Sequence, residues 1–197
     1  MVQGEDMETR REIRLKYKMM REQMPKHQVQ ELSKQIARQI VSWEAYKKAE
    51  CLYVYYPLGN EVSLISVIED AWNKGKRLAF PKVRGNEMNF YEIHSFQQLE
   101  EGCFQVMEPV VTSGMEPVFW DEALCLAPGV VFDKDGGRFG YGKGYYDRYF
   151  NERNNILLAG CAYELQVALK LPMNEYDKKM DVLITETGIH AWQSEFL

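Results

Sequence analysis

Cys51-Leu-Tyr-Val-Tyr-Tyr56, closed off by Pro57 and Gly59, is a short aromatic and β-branched run of the kind a buried strand needs. The pattern returns at Arg77–Phe80 ahead of Pro81, at Met88–Ile93, at Ala123–Ala127 ahead of Pro128, at Ile156–Tyr163 and at Asp181–Thr185. A helix is expected over Leu64–Asn73, between the first two runs. Strands interleaved with helices predict an α/β layered fold with a largely parallel central sheet flanked by helices. In such sheets ligands sit beyond the carboxyl ends of the strands. The loops after Tyr56, Phe80 and Ala127 are therefore the first places to look for function.

Upstream of Cys51 the period is helical. Arg10 to Arg21 carries six basic residues and one acidic one, and Ile13, Tyr17, Met20 and Met24 recur at spacings of four, three and four. This predicts an amphipathic helix with one wet, basic face. Pro25 interrupts it, and Val29, Leu32, Ile36, Ile40 and Trp43 make the core-facing stripe of a second helix. The helical segment 5–45 is expected to pack on a single domain spanning 1–197, since 197 residues at 46% hydrophobic content can bury one sizeable core.

Twenty-four Lys+Arg against 29 Asp+Glu give a formal charge of −5, which argues against a protein that coats nucleic acid or an anionic membrane. Cys51, Cys103, Cys125 and Cys161 are scattered, without the close pairs of a zinc or redox motif, and read as small buried apolar residues. The polar stretch Met1–Arg10 lacks the apolar core of a signal peptide, and no run reaches the length of a membrane span, so a cytoplasmic protein without an anchor is expected. A monomer is expected in preference to an oligomer.

The densest information lies in Pro128-Gly-Val-Val-Phe-Asp133 and the glycine-rich stretch Gly136–Asp147, where Gly136, Gly137, Gly140, Gly142 and Gly144 accompany Arg138 and Lys143. Glycine at this density allows several backbone N–H groups to approach one anion, and the two cations supply the charge a triphosphate demands. A bare turn between a strand and a helix would not need them. Gly137–Gly144 falls one residue short of a Walker A motif, because Gly144 stands where a metal-binding hydroxyl belongs. A metal accompanying the phosphates must then find carboxylates: Asp147, Asp177 and Asp181 are the candidates.

Pro128-Gly-Val-Val-Phe-Asp133 followed by Gly137-Arg-Phe-Gly-Tyr-Gly-Lys-Gly-Tyr-Tyr-Asp147 resembles the signature of the 5-formyltetrahydrofolate cyclo-ligase family. The resemblance extends to the basic helix Arg10–Arg14, to Tyr56-Pro-Leu-Gly-Asn-Glu61, to Phe80-Pro81, to Glu108-Pro109, and to Asn174–Asp181 with Thr185 and Glu186. It implies a fold similar to the sugar-phosphate isomerase and CoA-transferase group. The implied reaction is ATP- and Mg²⁺-dependent conversion of 5-formyltetrahydrofolate to 5,10-methenyltetrahydrofolate with release of ADP and phosphate. The γ-phosphate passes to the formyl oxygen, and folate N10 then attacks the activated carbon. The substrate is a small molecule, with or without a polyglutamate tail.

The resemblance also implies residue roles. ATP would be held by Arg10, Arg11, Glu12, Ile13 and Arg14, and by Arg138, Phe139, Gly140, Tyr141, Gly142, Lys143, Gly144, Tyr145 and Tyr146. Arg138 and Lys143 would counter the charge of transfer. Folate would meet Arg14, Tyr56, Glu61, Tyr141, Gly142, Lys143, Gly144 and Tyr145, with Glu61 accepting from pterin N–H groups. Asp147 and Asp177 would be the metal ligands, with Asp181 second to them; Asp133 is expected to brace a turn. Two positions depart from the family: Arg10 stands where lysine is common, and Gln105 lies near a usual glycine. Three other functions compete. One is a P-loop-like phosphotransferase. Another is an RNA-binding module stacking bases on Tyr53, Tyr55, Phe90 and Tyr91. The third is a folate store that leaves the loop cations unexplained.

Overall fold

The computed structural model describes residues 8–192 apart from 103, 104, 152 and 154. Cys103 and the first residues of the predicted 5–45 helical segment lie outside the described residues. Helix α1 (Arg10–Glu22) starts at a capping box: Thr9 Oγ1 accepts from Glu12 N at 3.3 Å while the Glu12 carboxylate accepts from Thr9 N at 2.8 Å. Hydrogen bonds from the Thr9 N–H and the Thr9 hydroxyl hold the Glu12 carboxyl below its ordinary value.

The buried face of α1 differs from the predicted one. Met20 is exposed, whereas Arg21 is buried and Arg10 and Arg14 are half-buried. Arg10, Arg14, Tyr17, Arg21 and Met24 follow spacings of four, three, four and three, as regular as the apolar stripe and overlapping it. The helix is rotated so that three guanidiniums share its inner side with Ile13, Tyr17 and Met24. Polarity alone assigned them to water.

Helix α2 (Lys26–Ser42) buries Ile36, Ala37 and Ile40, and α3 (Glu44–Lys48) buries Tyr46. Strand β1 (Cys51–Tyr53) follows, then α4 (Ile65–Asn73), β2 (Arg77–Arg84) and β3 (Glu87–Glu92). Short β4 (Leu99–Glu101) and β5 (Met107–Pro109) pair antiparallel. The rest comprises β6 (Ala123–Ala127), β7 (Val131–Asp133), β8 (Arg138–Phe139), α5 (Tyr145–Phe150), β9 (Ile156–Cys161), β10 (Val167–Ala168), β11 (Val182–Thr185) and β12 (Gly188–Ala191).

The central sheet has the order β12-β11-β9-β6-β1-β2-β3, parallel from β11 to β2 with an antiparallel strand at each edge. The parallel sheet expected from the alternation of strands and helices is thus present. Alternate residues serve opposite faces. Leu52, Val54, Leu78, Phe80, Leu124 and Leu126 pack with Ile36, Ile40 and Ile68; Tyr53, Ala79, Cys125 and Ala127 pack with Phe90, Phe132 and Phe150.

Two boundaries move. β1 stops at Tyr53, with Val54 N donating to the Ala79 carbonyl, and Tyr55 and Tyr56 lead out toward the site. β2 continues through Pro81, which pairs with Phe90 of β3. Its pairing with β1 ends at Ala79, so the side of Pro81 that lacks a donor faces no strand. The aromatics Tyr53, Tyr55, Phe90 and Tyr91 are all buried, which leaves them unavailable to stack on bases. Cys125 and Cys161 are buried as expected, and Cys51 is half-buried. Among the described residues, no helix is long and apolar enough to cross a membrane.

Candidate nucleotide and folate site

The glycine-rich stretch is divided into a turn, a strand and a loop. β7 and β8 form a hairpin whose turn is held by Asp133: its Oδ1 accepts from Asp135 N at 2.9 Å and Gly137 N at 2.7 Å, and its Oδ2 accepts from Leu171 N at 2.7 Å. Asp133 therefore braces the turn, as expected. Gly136 adopts φ 84°, a left-handed conformation that suits glycine, and a Cβ at Gly137 would meet the Asp133 carboxylate at 2.6 Å. The loop of this stretch is Gly140–Gly144, between β8 and α5. The long helix that follows a Walker loop is here the six-residue α5, which weighs against the P-loop reading.

The buried face of α1 lies against this hairpin. Phe139, Ile13, Val131 and Leu171 form a small apolar cluster, and the guanidiniums of Arg10 and Arg14 lie 4.4 Å and 4.9 Å from the Phe139 ring centroid. Arg14 Nε donates to the Gly140 carbonyl at 2.9 Å, and Arg10 Nη2 to Asp177 Oδ1 at 2.6 Å. Buried Arg138 donates to Asp147 Oδ1 at 3.2 Å and to the Pro128 carbonyl at 3.3 Å, with its guanidinium 5.2 Å from the Tyr146 ring centroid. Residues more than 120 positions apart thus bring three guanidiniums and two carboxylates to one edge of the loop. Burial and the like charge of Arg10 push the Arg14 guanidinium down, though arginine remains charged. The local balance is positive within a chain of net charge −5.

Glu61 is buried. Its Oε2 accepts from Leu58 N at 2.9 Å and its Oε1 from the Tyr141 hydroxyl at 2.7 Å, with Arg21 Nη1 3.8 Å from Oε1. Burial pushes the Glu61 carboxyl up, against the pull of Arg21, the Leu58 N–H and the Tyr141 hydroxyl. Glu61 thus joins the glycine loop through Tyr141.

Other predicted residues stand apart from this network. The Tyr56 ring meets Phe96 edge to face at 5.9 Å, and Arg11 is exposed. Exposed Lys143 offers its carbonyl to Arg148 Nη1 at 2.8 Å. The Tyr145 hydroxyl and Arg148 Nη2 donate to Gly85 and Asn86 carbonyls, tying the loop to the turn between β2 and β3. Asp181 accepts from Leu158 N at 2.9 Å at the start of the β9–β11 ladder, a bracing role.

Asp147 and Asp177 suit a metal that is bound partly by phosphate. Both carboxylates act on Arg14, and among the described residues no three His, Cys, Asp or Glu side chains gather into an all-protein cage. Two carboxylates form a donor set that magnesium takes when phosphates and water complete its shell.

This signature in this setting matches the family model described as the 5-formyltetrahydrofolate cyclo-ligase family over residues 6–186. The chain belongs to that family. A probable 5-formyltetrahydrofolate cyclo-ligase of Schizosaccharomyces pombe is 30% identical over 81% of this chain and 86% of its own. The Escherichia coli 5-formyltetrahydrofolate cyclo-ligase is 26% identical over 84% of this chain and 93% of its own. The NMR structure of Aquifex aeolicus 5,10-methenyltetrahydrofolate synthetase superposes with a TM-score of 0.82 at 35% identity, covering 93% of each chain. Within this cyclo-ligase architecture Arg21 escaped the sequence reading. Its signal was its place in the inner stripe of α1, where arginine needs a reason to be buried.

Proposed function

We propose that this chain converts 5-formyltetrahydrofolate and ATP to 5,10-methenyltetrahydrofolate, ADP and phosphate, as the names of its relatives suggest. The observation that carries the reading is the meeting of Arg10 and Arg14 over the Phe139 ring with Arg138, which Asp147 holds, at the mouth of the Gly140–Gly144 loop. Such a cluster suits a triphosphate, and the aromatic ring between Arg10 and Arg14 keeps their planes in place.

The γ-phosphate passes to the formyl oxygen, N10 attacks the formyl carbon and loses its proton, and the carbon–oxygen bond breaks to release phosphate. The chain's part is to align the two substrates and neutralise charge. Arg10, Arg11 and Arg14 reach the nucleotide from α1, beside Glu12 and Ile13, while Arg138, Phe139 and Gly140–Tyr146 hold its phosphates. Arg14, Tyr56, Glu61 and Tyr141–Tyr145 face the folate, with Glu61 accepting from the pterin. Asp147 and Asp177 would hold Mg²⁺, which when bound supplies positive charge to the phosphate oxygens. We place the protein in the cytoplasm as a monomer built from one domain.

Lys143 provides the test, because it is exposed and its side chain can be removed without opening a core. Lys143→Ala should lower turnover by roughly 10²-fold or more, the scale of losing one transition-state charge partner. Its melting temperature should stay at the wild-type value. Near-normal turnover would remove Lys143 from the chemistry, and ADP release that ignores 5-formyltetrahydrofolate would point to another acceptor.

A further inference from the structure

Arg21 is 3% exposed, yet it carries a charge, and its Nε finds no partner among the described residues. A buried guanidinium with an open donor is a cost to the fold that packing does not explain. Its other nitrogens are used specifically. Nη1 donates to the Gly129 carbonyl at 3.0 Å and lies 3.8 Å from Glu61 Oε1; Nη2 donates to the Tyr141 hydroxyl oxygen at 2.6 Å. With its oxygen accepting from Arg21, the Tyr141 hydroxyl directs its own proton to Glu61 Oε1 at 2.7 Å. The side chain thus links the helix that carries Arg10 and Arg14 with Tyr141 of the glycine loop and with Glu61.

We infer that Arg21 is a positioning residue for the pterin: it keeps Glu61 a carboxylate and fixes the direction of the Tyr141 hydroxyl, so that Glu61 presents an acceptor to the folate ring. The inference rests on the proposed folate reading. Around Glu61 stand Arg21 from α1, Tyr141 from the loop, Tyr55 just after β1, Tyr146 in α5 and Tyr163 after β9. Burial pushes the four tyrosines above their ordinary values, so they stay neutral, and Arg21 is the cation that acts on Glu61. Replacing Arg21 with a neutral residue therefore raises the pH at which Glu61 takes up a proton.

Calorimetric titration with 5-formyltetrahydrofolate, without ATP, over about pH 5 to 8 reads this directly, with melting temperatures recorded for each variant. Wild type should lose affinity in acid. In Arg21→Met the midpoint of that loss should move up by roughly one pH unit or more, the effect of removing a charge at this distance. Arg21→Lys should return it close to wild type. Arg21→Gln, which keeps a neutral N–H donor, carries the same expectation if Arg21→Met does not fold. A folded neutral variant with an unmoved midpoint, or weakened equally at every pH, overturns the inference and leaves the folate reading intact. A folded wild-type protein that does not bind 5-formyltetrahydrofolate overturns both.

Discussion

Gln105 adopts φ 62°, the left-handed conformation in which a Cβ crowds the backbone. Glycine takes this conformation without that penalty. Gln105→Gly should raise stability by about 1 kcal/mol, because relief of roughly 1–2 kcal/mol is partly offset by the greater freedom of glycine when unfolded. Thermal denaturation would show a rise of about 2–4 °C in a chain of this size; an unchanged or lower midpoint would mean that the glutamine side chain stabilises the turn. At this scale the sequence was readable where a residue has a local job, as with Asp133 and its turn. It was less readable where a residue acts on partners far along the chain. Arg21 looked like any other basic residue of α1, because only its contacts with Gly129, Glu61 and Tyr141 distinguish it.

Among the elements, the β7–β8 hairpin that carries Arg138 meets the central sheet through the Phe132 side chain. The Phe132 ring fills the space left by two glycines: a Cβ at Gly129 would lie 2.4 Å from it, and one at Gly160 would lie 2.5 Å away. Gly160→Ala should therefore destabilise by about 1–3 kcal/mol through overpacking. It should also lower turnover by displacing the hairpin, and a wild-type melting temperature would show that the ring moves aside freely. The β2–β3 edge carries a pH-dependent contribution. Arg77 donates to both Glu92 oxygens, at 2.9 and 2.6 Å, and holds the Glu92 carboxyl below its ordinary value. A depressed carboxylate contributes stability above its unfolded value and loses it as the pH falls through the lower folded value. Melting curves of wild type and Glu92→Gln should thus differ by less than about 1 kcal/mol near neutrality and converge in acid, because the Arg77 partner is exposed to solvent. A constant gap across pH would assign the difference to packing. Six of the seven strands of the sheet were legible as compact apolar runs, whereas β12, with Gly188 and His190 among its four residues, carries no such run. The hairpin inside the glycine-rich stretch was not legible either, since its strands are two or three residues long and its register comes from the Asp133 carboxylate. Pro81 misled for a related reason: whether proline ends a strand depends on which neighbour its missing donor faces.

Across the whole molecule, a net-acidic chain collects Arg10, Arg14 and Arg138 at one mouth beyond the sheet, so its average charge says little about the ligand it attracts. The central claim is that this mouth and the Glu61 side join two substrates in one reaction. It is tested most directly by the near-ultraviolet absorbance of the purified protein mixed with 5-formyltetrahydrofolate and Mg²⁺, with and without ATP. A rise from the methenyl product that needs both ATP and the protein, and that is lost in Lys143→Ala, is the result predicted. No rise from folded wild-type protein on verified substrate would contradict the account.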